Sequence, residues 1–258
     1  MKRVLTKLAV LTALAVFAIG AENTPKGLSK ERTVLLNDRG MAQYRELAPM
    51  NVDELSRYDF ASIFGEQDGF GCYLAYIGDN FQRLHIVFDE IAKIAPLKYA
   101  AKGQTMVKGN YNDFGGEITI DKAYRYKEFS EGLDGEMIGK IADQGVIFAK
   151  VTLRENDKQK GSGVFKGDLM TTWYIDADKT LRYDDIDSHS DNYANNQFLG
   201  VWTSYKTSAQ KRVAWGQARI PQSRGFDIGA GDFSVDRKYL KNGWNEHDLC
   251  GGVTWRKK

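Results

Sequence analysis

From residue 70 onward, apolar and polar positions alternate with a period of two. In "RLHIVFDEIAKI", Leu84, Ile86, Phe88, Ala92 and Ile94 fall on one face, with Arg83, His85, Asp89 and Lys93 opposite. "GEITIDKAYRYKE" groups Ile118, Ile120, Tyr124 and Tyr126. "GVIFAKVTLREN" sets Ile147, Ala149, Val151 and Leu153 against Phe148, Lys150, Thr152 and Arg154. "GVFKGDLMTTWYID" aligns Phe165, Leu169, Thr171, Trp173 and Ile175. This is the pattern of extended chain with one buried face. Turn-rich stretches ("GDN", "GNYNDFGG", "ENDKQKGSG", "DADKT") separate the runs, and no segment carries the 3.6-residue stripe of a long amphipathic helix. The reading is all-β and antiparallel. Glycines set beside apolar residues in "VKGNY", "LDGEMIGKI", "GVFKGD" and "FLGVWTSY" mark bends that let a meander curl into a barrel or a strongly curled sandwich.

The flanking segments differ. Residues 21–58 form a polar leader without periodicity, in which "TVLL" could add an edge strand. "NVDELSRY" predicts one helical turn, with Asn51 as N-cap and Glu54 three positions on. All five tryptophans follow residue 172, and "FDIGAGDFSVDRKYLKNGWNEHDLCGG" is rich in glycine and loop-like. That composition suits a second layer or a lid over one barrel end. No Pro- or Ser-rich linker interrupts residues 59–258, which are read as one β domain.

The N-terminus changes the picture of where the chain works. Lys2, Arg3 and Lys7 precede an apolar run from Leu8 to Ile19, and Ala18 and Gly20 supply small side chains. Residues 1–20 thus predict a signal peptide cleaved near Gly20 or Ala21, too short to span a bilayer, and a periplasmic or secreted product. Removing them takes three positive charges and lowers the formal net charge from +2 to −1. No basic block argues for nucleic acid, and no later apolar run predicts a transmembrane segment in the mature chain. In an oxidising compartment Cys72 and Cys250 could form a disulfide; closing that interval would stabilise by about 4–5 kcal/mol. Two unpaired, half-buried thiols are the alternative.

"FLGVWTSY" (198–205) resembles the Gly-x-Trp strand of calycin-type barrels, the lipocalins and avidins that hold small ligands. The resemblance covers about eight residues, and lipocalins carry that strand near the N-terminus, not near residue 198. It implies barrel architecture and no particular ligand.

Candidate chemistry is concentrated in "RYDDIDSHSDNYANNQ". Asp185, Asp187 and Asp191 offer oxygens for calcium, though the EF-hand order with its central Gly and terminal Glu is absent. A solvated turn, with Asp and Asn satisfying turn backbones, explains the same residues. His85, His189 and His247 show no zinc-ligand spacing, and there is no G-x-S-x-G elbow. Aromatic binding is the leading positive idea. Trp202 and Tyr205 lie on opposite faces of one strand, so only one can look inward with Phe198. Trp215 shares a face with Val213, Gln217 and Arg219. Trp173, Trp202, Trp215 and Arg219 are therefore the expected contacts for a small apolar or glycan-like ligand, with plain core packing as the alternative. No organic cofactor is expected. The leading function is a non-catalytic binding module for such a ligand or an envelope partner. A hydrolase of envelope polymers using Asp187 or His189, or a structural interaction protein, are the alternatives.

Overall fold

The computed structural model describes residues 25, 27–38, 46–65, 72–191, 193–245 and 249. The predicted signal segment, His247 and Cys250 lie outside the described residues. The chain is mainly strand: β1 (Leu47–Met50), β2 (Leu74–Ile77), β3 (Gln82–Arg83), β4 (His85–Ala95), β5 (Lys98–Val107), β6 (Asn110–Tyr126), β7 (Ile141–Glu155), β8 (Gly163–Asp176), β9 (Leu181–Tyr183), β10 (Asn195–Ser204) and β11 (Gln210–Gln217).

Nine of these form one antiparallel path, β3-β2-β11-β10-β8-β7-β6-β5-β4, with β1 added on β6 and β9 on β8. The path curls into a half-barrel. Its first and last members, β3 and β4, are separated in the chain only by Leu84, whose N–H donates to Ala75 O on β2. The sheet's two ends are thus joined by a single strand line that changes partner.

Local chemistry sets the hairpins. Lys108 and Gly109 both adopt positive φ (51° and 75°) in a two-residue loop, with Val107 paired to Asn110, the geometry that matches strand twist. Of the expected turn "GNYNDFGG" only Gly109 turns; the rest is β6. In the barrel wall Gly167 faces Gly200 across β8 and β10. A Cβ at Gly200 would come within 2.5 Å of the Phe198 ring, and one at Gly167 within 2.6 Å. The glycine pair leaves room for that ring to lie inward, stacked on Trp215 at 3.6 Å.

Both faces of the sheet are apolar. The inner cluster collects Ile86, Tyr99, Ile118, Ile147, Leu169, Phe198 and Val213 from successive strands; the outer one collects Tyr76, Tyr124, Phe148, Met170, Leu199 and Ala214. Strands β7 and β8 show the alternation expected of them. Strands β4 and β6 depart from it after a bulge, at Phe88/Glu90 and at Ile120/Lys122. One inserted residue swaps the faces beyond it. Hence Ile91 packs on the inner core while Ile94 is 53% exposed, and Tyr124 joins the outer cluster while Ala123 turns inward.

The outer face is covered by two segments. The first is the helix Lys30–Asn37 (α1), which replaces the edge strand expected of "TVLL". Ser29 caps it by accepting from Arg32 N at 3.3 Å, and Glu31 sits in its first turn, both favourable at a helix N-terminus. Leu35 and Leu36 are buried against the sheet. Arg32, 3% exposed, reaches Asp168 (Nε to Oδ1, 2.5 Å) and Asp121 (2.6 Å) over the Phe148 ring, and Lys150 also bonds Asp168 at 2.9 Å. The second cover is the C-terminal segment, whose Ile220, Phe226 and Trp244 enter the same cluster; Trp244 Nε1 donates to Phe81 O at 2.7 Å. It forms a second layer on the wall.

The inner hollow is filled by the chain itself. Asn51 accepts from Asp53 N and opens a 3-10 turn at Val52–Leu55, as its sequence suggests, while Glu54 pairs with Arg125 instead of closing a capping box. A second helical turn, Ala61–Phe64 (α2), follows. Leu55, Phe60, Ile63 and Phe64 are buried in the inner cluster, with Phe60 edge-on to Trp173 and Phe64 edge-on to Tyr99.

Removing one partner of the buried Arg32–Asp168 pair strands a charge under α1. Asp168→Ala is expected to cost about 3–5 kcal/mol in denaturant unfolding. Lys150→Ala, at the exposed end of the cluster, should cost under about 1 kcal/mol. Equal, small losses for both would show that α1 is not anchored there.

Candidate functional site

Trp173, Trp202 and Trp215 all face the inner core, spread along its length, and their surfaces are taken up by neighbours. Trp173 is 0% exposed, and its Nε1 has no hydrogen-bond partner among the described residues. Trp215 lies on Phe198, with Phe165 and Phe88 edge-on. Trp202 points inward and Tyr205 outward, 43% exposed. Arg219 does not join them. Strand β11 ends at Gln217, Ala218 takes φ 60°, and the turn sends the Arg219 guanidinium to Asp227 (2.6 Å) and the carbonyls of Gly229 and Ala230. It fastens the C-terminal cover.

Buried polar side chains line the inside where the plug enters. Tyr73 Oη donates to Phe64 O at 2.6 Å, Phe60 N donates to Tyr99 Oη, and Asn196 Nδ2 donates to Ile63 O at 2.7 Å and Gln217 Oε1. Gln217 Nε2 in turn donates to Gly65 O. A short helical turn leaves backbone N–H and carbonyl groups unpaired; Tyr99 meets the Phe60 N–H, and the others meet carbonyls. At the opposite end Glu155, 5% exposed, accepts from Thr105 Oγ1, Gly163 N (2.8 Å) and Trp202 Nε1 (2.9 Å). Burial raises its carboxyl above the ordinary range, against the pull of those three donors.

The acidic loop resolves into turns. Ser188 N bonds Asp185 O and Ser190 N bonds Asp187 O. Asp187 accepts from Ser130 Oγ at 2.7 Å, and Asp184 accepts from Gln144 Nε2 at 2.9 Å, which ties the loop to the start of β7. Asp185 and Asp191 are exposed. The amide oxygens of Asn195 and Asn196 point elsewhere, to Thr172 N and Thr171 Oγ1. Among the described residues, no group of three His, Cys, Asp or Glu side chains is gathered to hold a metal ion. Cys72 Sγ lies 3.5 Å from Leu249 O, beside Cys250 in the chain.

A site that the sequence did not single out lies on the outer face, at the seam between the two covers. Val34 and Asp38 at the end of α1, Phe81, Arg212 on β11 and Arg224 line a pocket of about 410 Å³, within the usual range for small ligands. Arg212 projects outward because its neighbour Val213 faces in. Its guanidinium lies 5.2 Å from the Tyr76 ring centre and 5.3 Å from that of Phe81. Arg212 Nε has no hydrogen-bond partner among the described residues; the exposed Asp79 carboxylate is 3.7 Å away. Ring faces hold the cation in place without using its donors. Asp38 Oδ2 accepts from Gln222 N and so links helix end to cover. A wider groove of about 660 Å³ runs between Leu47–Val52 and Asp121–Tyr124. Its lining holds Asp121, already paired with Arg32, and Lys122, whose Nζ donates to Gly27 O, and carries no arginine.

No protein-family model, curated protein or solved structure matches the chain. Among the described residues, no helix is long and apolar enough to cross a membrane.

Two buried titratable groups give opposite pH signatures. Burial, and then the charge of Arg83, hold the His85 imidazole down at about 4 against an ordinary 6.5. Its stabilising effect is complete above 6.5 and is lost as pH falls from 6.5 through 4. Glu155, raised from 4.5, has the reverse sign: the fold is favoured below 4.5 and loses stability as pH rises through the folded-state value. Urea midpoints measured across this range should show His85→Asn flattening the acid-side loss and Glu155→Gln flattening the decline above 4.5. Unchanged pH profiles in both variants would contradict these environments.

Proposed function

We propose that this chain is an exported, non-catalytic binding module that holds a small ligand through an anionic group in the outer pocket. The observation that carries this reading is Arg212: its guanidinium is parked on two aromatic faces, its ion pair with the exposed Asp79 is a long one at 3.7 Å, and Arg224 shares the pocket. A planar cation held ready in this way suits carboxylate or phosphate. Phe81 and Val34 supply an apolar wall for the rest of the ligand. The inner aromatic face, where a calycin-type barrel would hold its ligand, is filled by Phe60, Ile63 and Phe64, which favours the outer site. Export rests on the basic and apolar N-terminal residues, and a Cys72–Cys250 disulfide belongs to the same reading; the approach of Cys72 to Leu249 supports it.

A second reading, an interaction protein of the envelope, is favoured by the connection between β6 and β7. Leu133 and Ile138 are 53% and 66% exposed there, near Glu131, Asp134 and Glu136.

Trp244 reports on the pocket, because its ring lies 4.9 Å from Phe226, which stacks on Phe81 at 4.7 Å. Titrating the full chain with benzoate, decanoate, glucose 6-phosphate and glucose should give a saturable emission change with at least one anion and none with glucose. Arg212→Ala should weaken that binding by about tenfold or more, the loss of a charged hydrogen bond, while the chain stays folded with only a modest fall in melting temperature from the lost ring contacts. No saturable change with any anion, or undiminished affinity in Arg212→Ala, would refute the reading.

A further inference from the structure

The chain carries 36 basic and 34 acidic residues, and much of the wall sets them in pairs: Lys98 meets Glu117, Lys102 meets Glu90 and Arg182 meets Asp176. One end of the convex face departs from this. Residues 158–167 and 192–226 contain no Asp or Glu, and the pairing of β8 with β10 lays these two stretches side by side. Register places Arg154 in one row with Val164 and Thr203, and Thr152 in the next row with Lys166 and Val201. Leu153, Phe165 and Trp202 face the inner core, so those six side chains project outward. Lys158 and Lys160 stand on the connection between β7 and β8, and Lys206 on that between β10 and β11. The two connections meet where Tyr205 N donates to Ser162 O. Arg154, Lys158, Lys160, Lys166 and Lys206 are all exposed, and among the described residues none of them forms an ion pair. Asp157 is the one acidic residue on the two connections; Glu155 is turned inward to its three donors.

We infer that this end of the convex wall is a second site, separate from the outer pocket, and that it binds an acidic polysaccharide. Five cations without carboxylate partners repel one another in the free chain and gain from a single extended anion. Neighbouring strands lie about 4.8 Å apart, and side chains two positions apart on one face about 6.8 Å. The cations are therefore spread over a surface that a small anion does not span. Four of the five are lysines, point charges that suit separate carboxylates and lack the planar fork of arginine. The Tyr205 ring, 43% exposed, offers a face to a sugar ring, and Thr152 and Thr203 set hydroxyls between the cations. A single-stranded nucleic acid stacks on several rings in succession, and a bilayer surface takes up large apolar side chains. The patch offers one exposed ring, and its most exposed aliphatic residue is Val201, at 38%.

Calorimetry of the full chain tests the site, with polygalacturonate, neutral dextran, oligothymidylate and phosphatidylglycerol vesicles as probes. Polygalacturonate should bind saturably at about 0.05 M salt and several-fold more weakly at about 0.2 M, because exposed charges are screened. Dextran should not bind. Lys158→Gln, Lys160→Gln and Lys166→Gln combined should weaken polygalacturonate binding by about tenfold or more, equivalent to about 1.4 kcal/mol. Lys179→Gln, Arg237→Gln and Lys241→Gln combined remove the same net charge from other exposed positions and should cost less than about twofold. Tyr205→Ala should weaken binding by about threefold or more and leave its salt dependence as it was. Equal losses in the two triple variants, or full affinity in Tyr205→Ala, would reduce the patch to diffuse charge and overturn the assignment. Absence of polygalacturonate binding, or tighter binding of the oligothymidylate or the vesicles, would overturn it as well.

Discussion

One sheet has to hide apolar side chains on both of its faces, and most of the architecture follows from that requirement. Phe198 and Leu199 are neighbours in the chain and project to opposite sides; both are buried. A meander curled on itself can bury only its concave face. The convex face therefore needs covers, and α1 and the segment carrying Phe226 and Trp244 provide them. The concave face encloses more room than its own strands fill, and the turn at Ala61–Phe64 occupies it. Burying helical turns brings unpaired backbone groups inside, and Tyr73, Tyr99, Asn196 and Gln217 are the polar residues that meet them.

The seam between the covers is where a concavity lined by charged side chains survives. Packing two unrelated segments on a curved wall leaves a gap at their junction, lined by whatever each contributes. Here the helix contributes its negative end, the wall contributes Arg212 on two aromatic rings, and the C-terminal segment contributes Arg224. The interior is closed by comparison. Its three tryptophans are packed, and its buried carboxylate, Glu155, is ringed by donors from three other parts of the wall. Such a group braces strands against one another.

Strands β7 and β8 were legible because nothing interrupts their period, so Ile147 through Ile175 fall as the alternation dictates. The bulges at Phe88/Glu90 and Ile120/Lys122 were not, since an inserted residue has no fixed sequence signature and silently inverts every position after it. Strict alternation therefore puts Ile94 and Tyr124 on the inner face, and the bulges turn both outward. Helix α1 is only eight residues long, and its run of apolar contacts, Val34 to Leu36, reads as a short strand; the Ser29 cap with Glu31 two residues on is the available signal. The alternation in "FLGVWTSY" puts Trp202 and Tyr205 on opposite faces without saying which is inward; in the structure Trp202 is in and Tyr205 out. The outer pocket was invisible because Asp38, Phe81 and the Arg212/Arg224 pair come from three distant parts of the chain. None stands out in its own neighbourhood, and only the tertiary fold brings them to one opening.

The fold depends on the burial of both sheet faces, and adjacent residues on β10 test that directly. Phe198→Ala and Leu199→Ala, compared by guanidinium unfolding of the full chain, should both be costly, about 3–5 kcal/mol for the first and 2–5 for the second. A one-sided meander with a wet outer surface would lose stability only at Phe198. If Leu199→Ala unfolds at the same denaturant concentration as the unaltered chain, the outer layer is not packed as described, and the pocket at its seam has no foundation.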